Sequence, residues 1–315
     1  YPVHTHYGFA ETGRTTSSRP NIQNVRKLPG IRECFVPRPG MVFVAADFPA
    51  LEAYAWAQCC KSWLGQSALG DALNAGLDPH LALAAQILKL SYEEAEKRHA
   101  AEDQEVDDIR QLAKVANFGF PGGMGAPKLL ASAKKQLAAE VVTRLGLDLD
   151  LMKKLREQWM ARWPEAALHF ARVKSLGPAY PAKYRATVET LFTKRTRGNA
   201  SYCATCNNGF QALGSDCAKE AAWRICKAQY VEEESPLYNT RTVAFVHDEF
   251  LVEAPRETAH EAAQALADVM VAGANIFLPD VPIPRSKLKP VLMNRWSKKA
   301  KPVLGSDGRL VPWTA

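Results

Sequence analysis

The sequence predicts an α+β fold, on three observations. The run MVFVAAD at 41–47 is continuously apolar and closes on a carboxylate, the pattern of a buried strand. The run TVAFVHDEFLVE at 242–253 has apolar flanks around a polar tip, the pattern of a hairpin. Between them, residues 61–190 read as mostly helical.

Taken in order, residues 1–40 are rich in Gly, Pro, Ser and Arg and predict extended loops and short strands. The strand 41–47 follows, with Asp47 at its exit. Pro49 suits the first turn of a helix continuing through Leu51, Tyr54, Ala55 and Gln58. Leu81, Leu83, Ile87 and Leu88 form one amphipathic stretch. Residues 107–118 form another, with acids near its start, where the helix dipole favours them. Pro121, Gly122 and Gly123 then stop it. Residues 151–163 predict a further helix, and 208–230 a long one with small residues on one side. The hairpin 242–253 presents Asp248 at its turn, and the basic, Pro-containing tail from Trp296 onward reads as irregular. Neither an internal repeat nor a low-complexity block interrupts the chain.

With 47% apolar and 23% charged residues, the 315-residue chain has material for a substantial core. Lys and Arg exceed Asp and Glu by 40 to 33, a net charge of +7. That balance suits a polyanionic partner, though a solvated basic surface is the plainer reading. Seven cysteines in so long a chain argue against a disulfide scaffold. Cys203 and Cys206 form one CxxC without a second pair to complete a zinc site, so they read as plain thiols. A reducing, cytoplasmic compartment is the expectation. No apolar run approaches the length of a membrane helix.

Two carboxylates at strand ends, Asp47 and Asp248, stand about two hundred residues apart. A fold that aligned their strands would put both acids at one edge. Paired carboxylates repel and are stabilised by divalent cations, and oxygen-only ligands favour Mg²⁺ or Mn²⁺. Two such ions about 3.5–4 Å apart can activate a hydroxyl and stabilise a leaving oxygen. Taken alone, each acid more readily reads as the turn that ends its strand. On the helix beginning near Asp107, Arg110, Lys114 and Phe118 fall at i, i+4 and i+8, each offset by only about 40° from the last. Two cations and a ring therefore share a face. A triphosphate could lie along the cations with a sugar or base on the ring; a solvated basic face over a core Phe118 is the plainer alternative.

At this point the chain resembles family A DNA polymerases. Arg110-Gln-Leu-Ala-Lys114-Val-Ala-Asn-Phe118-Gly119 is similar to their nucleotide-binding helix, Asp47-Phe-Pro-Ala-Leu-Glu52 to their first catalytic motif, and Val246-His-Asp-Glu249 to their second. Thr12-Gly-Arg-Thr-Thr-Ser-Ser-Arg-Pro-Asn-Ile-Gln-Asn24 resembles their primer-template segment. Asp78-Pro-His80, Leu191-Phe-Thr-Lys-Arg195 and Phe210-Gln-Ala-Leu-Gly-Ser-Asp216 resemble further family segments, all in the family's order. The resemblance implies a palm with a small antiparallel sheet from 1–57 and 200–315, and an inserted helical fingers subdomain at 58–199. The match begins almost at Tyr1 with neither thumb nor exonuclease in the sequence, so the chain is expected to be either a fragment or a natural minimal form.

Roles follow from the resemblance. Asp47 and Asp248, with the Phe48 carbonyl, would hold two Mg²⁺ ions (Mn²⁺ as a substitute), and Glu249 would assist. Arg110, Lys114 and His80 would grip the triphosphate of a dNTP, Lys114 also offsetting charge in the reaction. Phe118 would stack near the incoming sugar and base, and Glu52 would exclude a 2′-hydroxyl. Arg14, Asn24, Gln211 and His247 would touch primer-template DNA. The partners implied are that DNA, dNTPs, and a thumb or exonuclease segment or a processivity factor, with no membrane. The implied activity is template-directed DNA synthesis. The competing readings are a catalytically idle DNA-binding fragment of a split polymerase and a single-subunit RNA polymerase. Where the family commonly has Tyr, four residues after the ring, this chain has Gly122, and Phe120 is the neighbouring aromatic that could substitute. Pro49, Ala50 and Tyr54 also depart from the pattern, suggesting a phage-like branch and, for a viral protein, a host cytoplasm.

Overall fold

The structure, a computed structural model, describes residues 2–26, 28, 30–178 and 183–314. The chain forms two compact units: Tyr1–Leu51, Gly214–Leu278 and Pro282–Ala315 make the first, and Glu52–Leu213 with Pro279–Val281 the second.

The first unit is built on a four-stranded antiparallel sheet. Its strands are β3 (Met41–Asp47), β6 (Arg241–Val246), β7 (Glu249–Pro255) and β8 (Val291–Met293), in the order β6-β7-β3-β8. β3 and β7 are central and buried on both faces, which is why their sequences read as continuous apolar runs. On one face Phe43, Ala45, Val246, Leu251 and Met293 pack with Ile22 and Trp296. Helix α11 (Ala259–Asn275) packs against the sheet through its buried stripe of Ala262, Ala263, Leu266 and Met270. Gly273 of α11 lies against the long helix α10 (Tyr202–Tyr230), where an added Cβ would sit 2.9 Å from the Ala221 backbone. Two short hairpins complete the unit: β1 (His6–Phe9) with β2 (Thr15–Ser18), and β9 (Val303–Leu304) with β10 (Leu310–Val311). The tail expected to be irregular thus contains two short strands; two-residue strands are too brief to leave a periodic signal.

The second unit is mainly helical. α1 (Leu51–Leu64) belongs to it from Glu52 onward, followed by α2 (Ala68–Asn74), α3 (Pro79–Leu88), α4 (Tyr92–Ala100), α5 (Gln104–Gly119), α6 (Ala126–Gln136), α7 (Ala139–Leu145), α8 (Leu149–Arg162) and α9 (Glu165–Ser175). A hairpin of β4 (Ala186–Glu189) and β5 (Thr196–Ala200) follows, so the segment expected to be helical through 190 ends in a strand. Two helix starts differ from expectation. α1 begins after Ala50, which takes a left-handed φ of 47°, and so Pro49 lies outside its first turn. α5 begins at Gln104 because Asp103 accepts the amide protons of Glu105 and Val106 as its N-cap. The core is aromatic: Trp56 stacks on Trp159 at 5.5 Å, and Phe120 tilts against Trp159 at 5.3 Å. No described helix is long and apolar enough to cross a membrane, and all seven cysteines are free thiols.

Candidate active site

In the first unit the strand register gathers the acids. Asp47, the last residue of β3, pairs across the sheet with Glu249, the first of β7. Val246 also pairs with Glu249, leaving His247 and Asp248 as a two-residue turn. Such turns demand positive φ at a central position, and His247 supplies it at 63°. The amide of Phe48 donates to the Asp248 carbonyl at 3.3 Å, tying the end of β3 to the turn. Asp47 and Asp248 are therefore neighbours, as the sequence suggested.

Although the side chain is about half exposed, partial desolvation and then the negative charge of Asp248 push the Asp47 carboxyl up to about 6. Desolvation and a like charge nearby both disfavour the ionised form. The cation that partly offsets it comes from the tail. Lys298 ion-pairs with buried Glu249 and stands 3.7 Å from Asp47 Oδ2. Burial, with the charges of Arg14 and Lys298, lowers the His247 imidazole, which places Arg14 beside this turn. Asn24 is exposed at the end of a short 3₁₀ turn capped by Asn21.

In the second unit Asp78 is the N-cap of α3, accepting from the amides of His80 and Leu81. Its other oxygen takes Arg110 Nε at 2.9 Å and Nη2 at 2.5 Å. One acid thus fixes both a helix start and the first cation of the α5 face. Phe118, 37% exposed, lies 5.6 Å from the His80 ring, and Lys114 is exposed on the same face. The three residues expected on one face do share it.

Asn117 sets the state of His80. Its Oδ1 accepts from the indole N–H groups of Trp159 and Trp163 at 3.0 and 3.1 Å. An indole nitrogen can only donate, so the oxygen must face the two rings. Nδ2 then donates to the Pro79 carbonyl at 3.1 Å and to His80 Nδ1 at 3.0 Å. His80 Nδ1 is consequently the acceptor and Nε2 carries the proton. Burial holds the ring neutral by pushing its pKa down to about 4, against Asp78 and with the charges of Arg110 and Lys114.

Glu52 is half-buried on α1, and Gln211 on α10 donates to Asn207 Oδ1 at 3.3 Å. Asn207 also occupies the space a side chain at 122 would need: a Cβ on Gly122 would fall 2.4 Å from Asn207 Oδ1. Phe120 cannot replace an aromatic there, because it is fully buried against Trp159. Sequence reasoning gave no role to Lys298, Asn117 or Asp78. The last two lie inside the quoted motifs; Lys298 was visible only as part of a basic tail.

Among the described residues, no group of three or more His, Cys, Asp or Glu gathers as a ready metal cage. The acids fit instead an ion held by two carboxylates and completed by substrate oxygens, the usual habit of Mg²⁺. Partial removal from water and the neighbouring Asp248 charge both raise the Asp47 carboxyl, and a bound cation would oppose both.

The fold is similar to that of the POL domain of Pol1 from M. smegmatis. That structure, solved in complex with a DNA primer-template and dNTP, aligns with TM-score 0.68 over 93% of this chain and 48% of its own, at 20% identity. The profile of DNA polymerase family A matches residues 2–286, and the chain belongs to that family. DNA polymerase I of Aquifex aeolicus is 29% identical over 95% of the chain, and that of Chloroflexus aurantiacus 30% over 85%. The chain spans 46% and 26% of these relatives' lengths.

Proposed function

We propose that the chain is a template-directed DNA polymerase, adding deoxynucleotides to a primer 3′-hydroxyl, with the first unit serving as palm and the second as fingers. The observation that carries this is the Asp47–Asp248 pair, held by strand register and a two-residue turn, with Asp47 raised to about 6. Asp47, Asp248 and the Phe48 carbonyl would hold two divalent ions, with Glu249 assisting. When bound, such ions promote attack by the primer hydroxyl on the α-phosphate and stabilise departing pyrophosphate.

The remaining work falls to side chains. Lys114 and Arg110 orient the triphosphate; Asp78 uses only Nε and Nη2 of Arg110, leaving Nη1 for a phosphate oxygen. His80, neutral with Nε2 protonated, donates a hydrogen bond without adding charge. Phe118 presents a partly exposed ring to the sugar and base, and Glu52 closes the 2′ side. Arg14, Asn24, Gln211 and His247 contact the primer-template.

Primer extension with Mg²⁺, comparing wild type with Asp248→Ala, tests the reading. Extension that disappears in the variant supports it. DNA binding without extension by the wild type would make the chain an idle DNA-binding fragment. Incorporation of ribonucleotides as readily as deoxynucleotides would overturn the role of Glu52 and favour an RNA polymerase.

A further inference from the structure

The second unit contains a cavity of about 270 Å³ that none of the polymerase roles uses. Its wall includes Trp63 of α1, His169 and Arg172 of α9, Lys194 in the β4–β5 connection and Thr205 of α10, with one acid, the exposed Glu189 at the end of β4. Four features make this a prepared site rather than a packing gap.

First, Arg172 is half-buried, and that burial lowers its pKa. Its guanidinium lies 4.1 Å over the Trp63 ring, and its side chain has no ion pair or hydrogen bond among the described residues. A guanidinium taken partly out of water normally finds a carboxylate or another acceptor. Second, His169 is 2% exposed, and among the described residues neither ring nitrogen makes a hydrogen bond of good geometry, although the Pro121 carbonyl acts on the ring. Third, the buried Thr205 hydroxyl is also without a partner among the described residues. A buried polar group left unsatisfied is costly, so two such side chains beside a half-buried guanidinium suggest that something completes them. Fourth, Lys194 adds a second cation with no ion pair among the described residues.

We propose that this cavity binds a small phosphate-type oxyanion. Arg172 supplies a planar fork of donors held flat by Trp63, the arrangement suited to two oxygens of a tetrahedral anion. Lys194 adds charge at the rim. The Thr205 hydroxyl and the protonated nitrogen of neutral His169 donate to the remaining oxygens. One face of Trp63 is already covered by Arg172, so the contacts favour a compact anion over one needing a ring sandwich. The volume lies just below the usual range of about 300–1,000 Å³ for small-molecule sites. Inorganic phosphate, pyrophosphate and the phosphate of a mononucleotide share this chemistry. The inference does not depend on the polymerase reading.

Isothermal titration of the full chain with phosphate, pyrophosphate and a deoxynucleoside monophosphate, at low ionic strength without divalent metal, tests the site and separates the three sources. The expected result is saturable binding of at least one of them with Kd below about 1 mM. Arg172→Gln should weaken it by about tenfold or more and Thr205→Val by about threefold, while Lys153→Gln, a cation elsewhere in the unit, leaves it unchanged. Circular dichroism confirms that each variant is folded; if Arg172→Gln is not, Lys194→Gln and Thr205→Val carry the test. No saturable binding overturns the proposal. So does equal binding by wild type and variants, the mark of an adventitious ion only. Loss of primer-template affinity in Arg172→Gln, with no binding of the three small anions, would overturn the proposal and assign the cations to the DNA backbone.

Discussion

Replacing Asn117 by Ala removes the acceptor of two buried indole N–H groups at once. Trp159 and Trp163 are fully buried, and each donates to Asn117 Oδ1. Each orphaned donor costs about 1–3 kcal/mol. The amide's own two donations, to Pro79 and His80, are lost as well, while a water entering the vacated space recovers part of the loss. The expected net destabilisation is about 3–5 kcal/mol, a large share of the roughly 5–15 kcal/mol that holds a typical domain. Urea unfolding followed by tryptophan fluorescence reads it, with the second unit's transition analysed separately. Asn117→Asp separates stability from positioning, because the carboxylate still accepts from both indoles but cannot donate to His80. The His80 proton should then move to Nδ1, and the ring pKa should rise from about 4. Nitrogen chemical shifts of the imidazole report both changes. An Ala variant destabilised by less than about 1 kcal/mol, or a wild-type His80 protonated at Nδ1, would refute this account of the network.

Lys298→Ala removes the resident cation from Glu249 and Asp47. The Asp47 side chain is 54% exposed, so solvent screening limits the change to about 1 kcal/mol, or roughly fivefold tighter Mn²⁺ binding by direct titration; unchanged or weaker binding would contradict it. Because the Asp47 carboxyl is raised to about 6, a proton competes with the metal, and apparent affinity should fall by up to about tenfold per pH unit below that value. In metal-free protein the sign is opposite. The fold favours protonated Asp47, so its contribution is fully present below the ordinary carboxylate range and is lost as pH rises through about 6. Relative to Asp47→Asn, wild type should therefore lose stability between about pH 4 and pH 7 in chelator, measured by denaturant midpoints. Gly273→Ala should destabilise the first unit by about 1–3 kcal/mol, since the new Cβ meets the Ala221 backbone rather than a side chain that could turn aside; a neutral thermal melt would show that the helices can separate there.

Much of the candidate site was legible because it depends on short-range order. β3 and the hairpin announce themselves as apolar runs ended by Asp47 and by the His247–Asp248 turn. The 3.6-residue repeat places Arg110, Lys114 and Phe118 on one face whatever surrounds the helix. The start of α5 is not legible in the sequence because the first-turn acid Asp107 looks like a boundary, whereas the cap is Asp103 one turn earlier. The β4–β5 hairpin escaped notice because four residues, ATVE, alternate too briefly to outweigh the helical pattern before them.

The residue sequence by itself determined which side chains end strands, which share a helix face, and the family to which their order belongs. Only the tertiary structure decided that Lys298 stands on Asp47 and Glu249, that Asp78 holds Arg110, and that Asn117 chooses the tautomer of His80. Backbone periodicity is local and can be read along the chain. Charge pairing and hydrogen-bond polarity act through space, and their partners here lie up to about two hundred and fifty residues apart, where no spacing rule reaches.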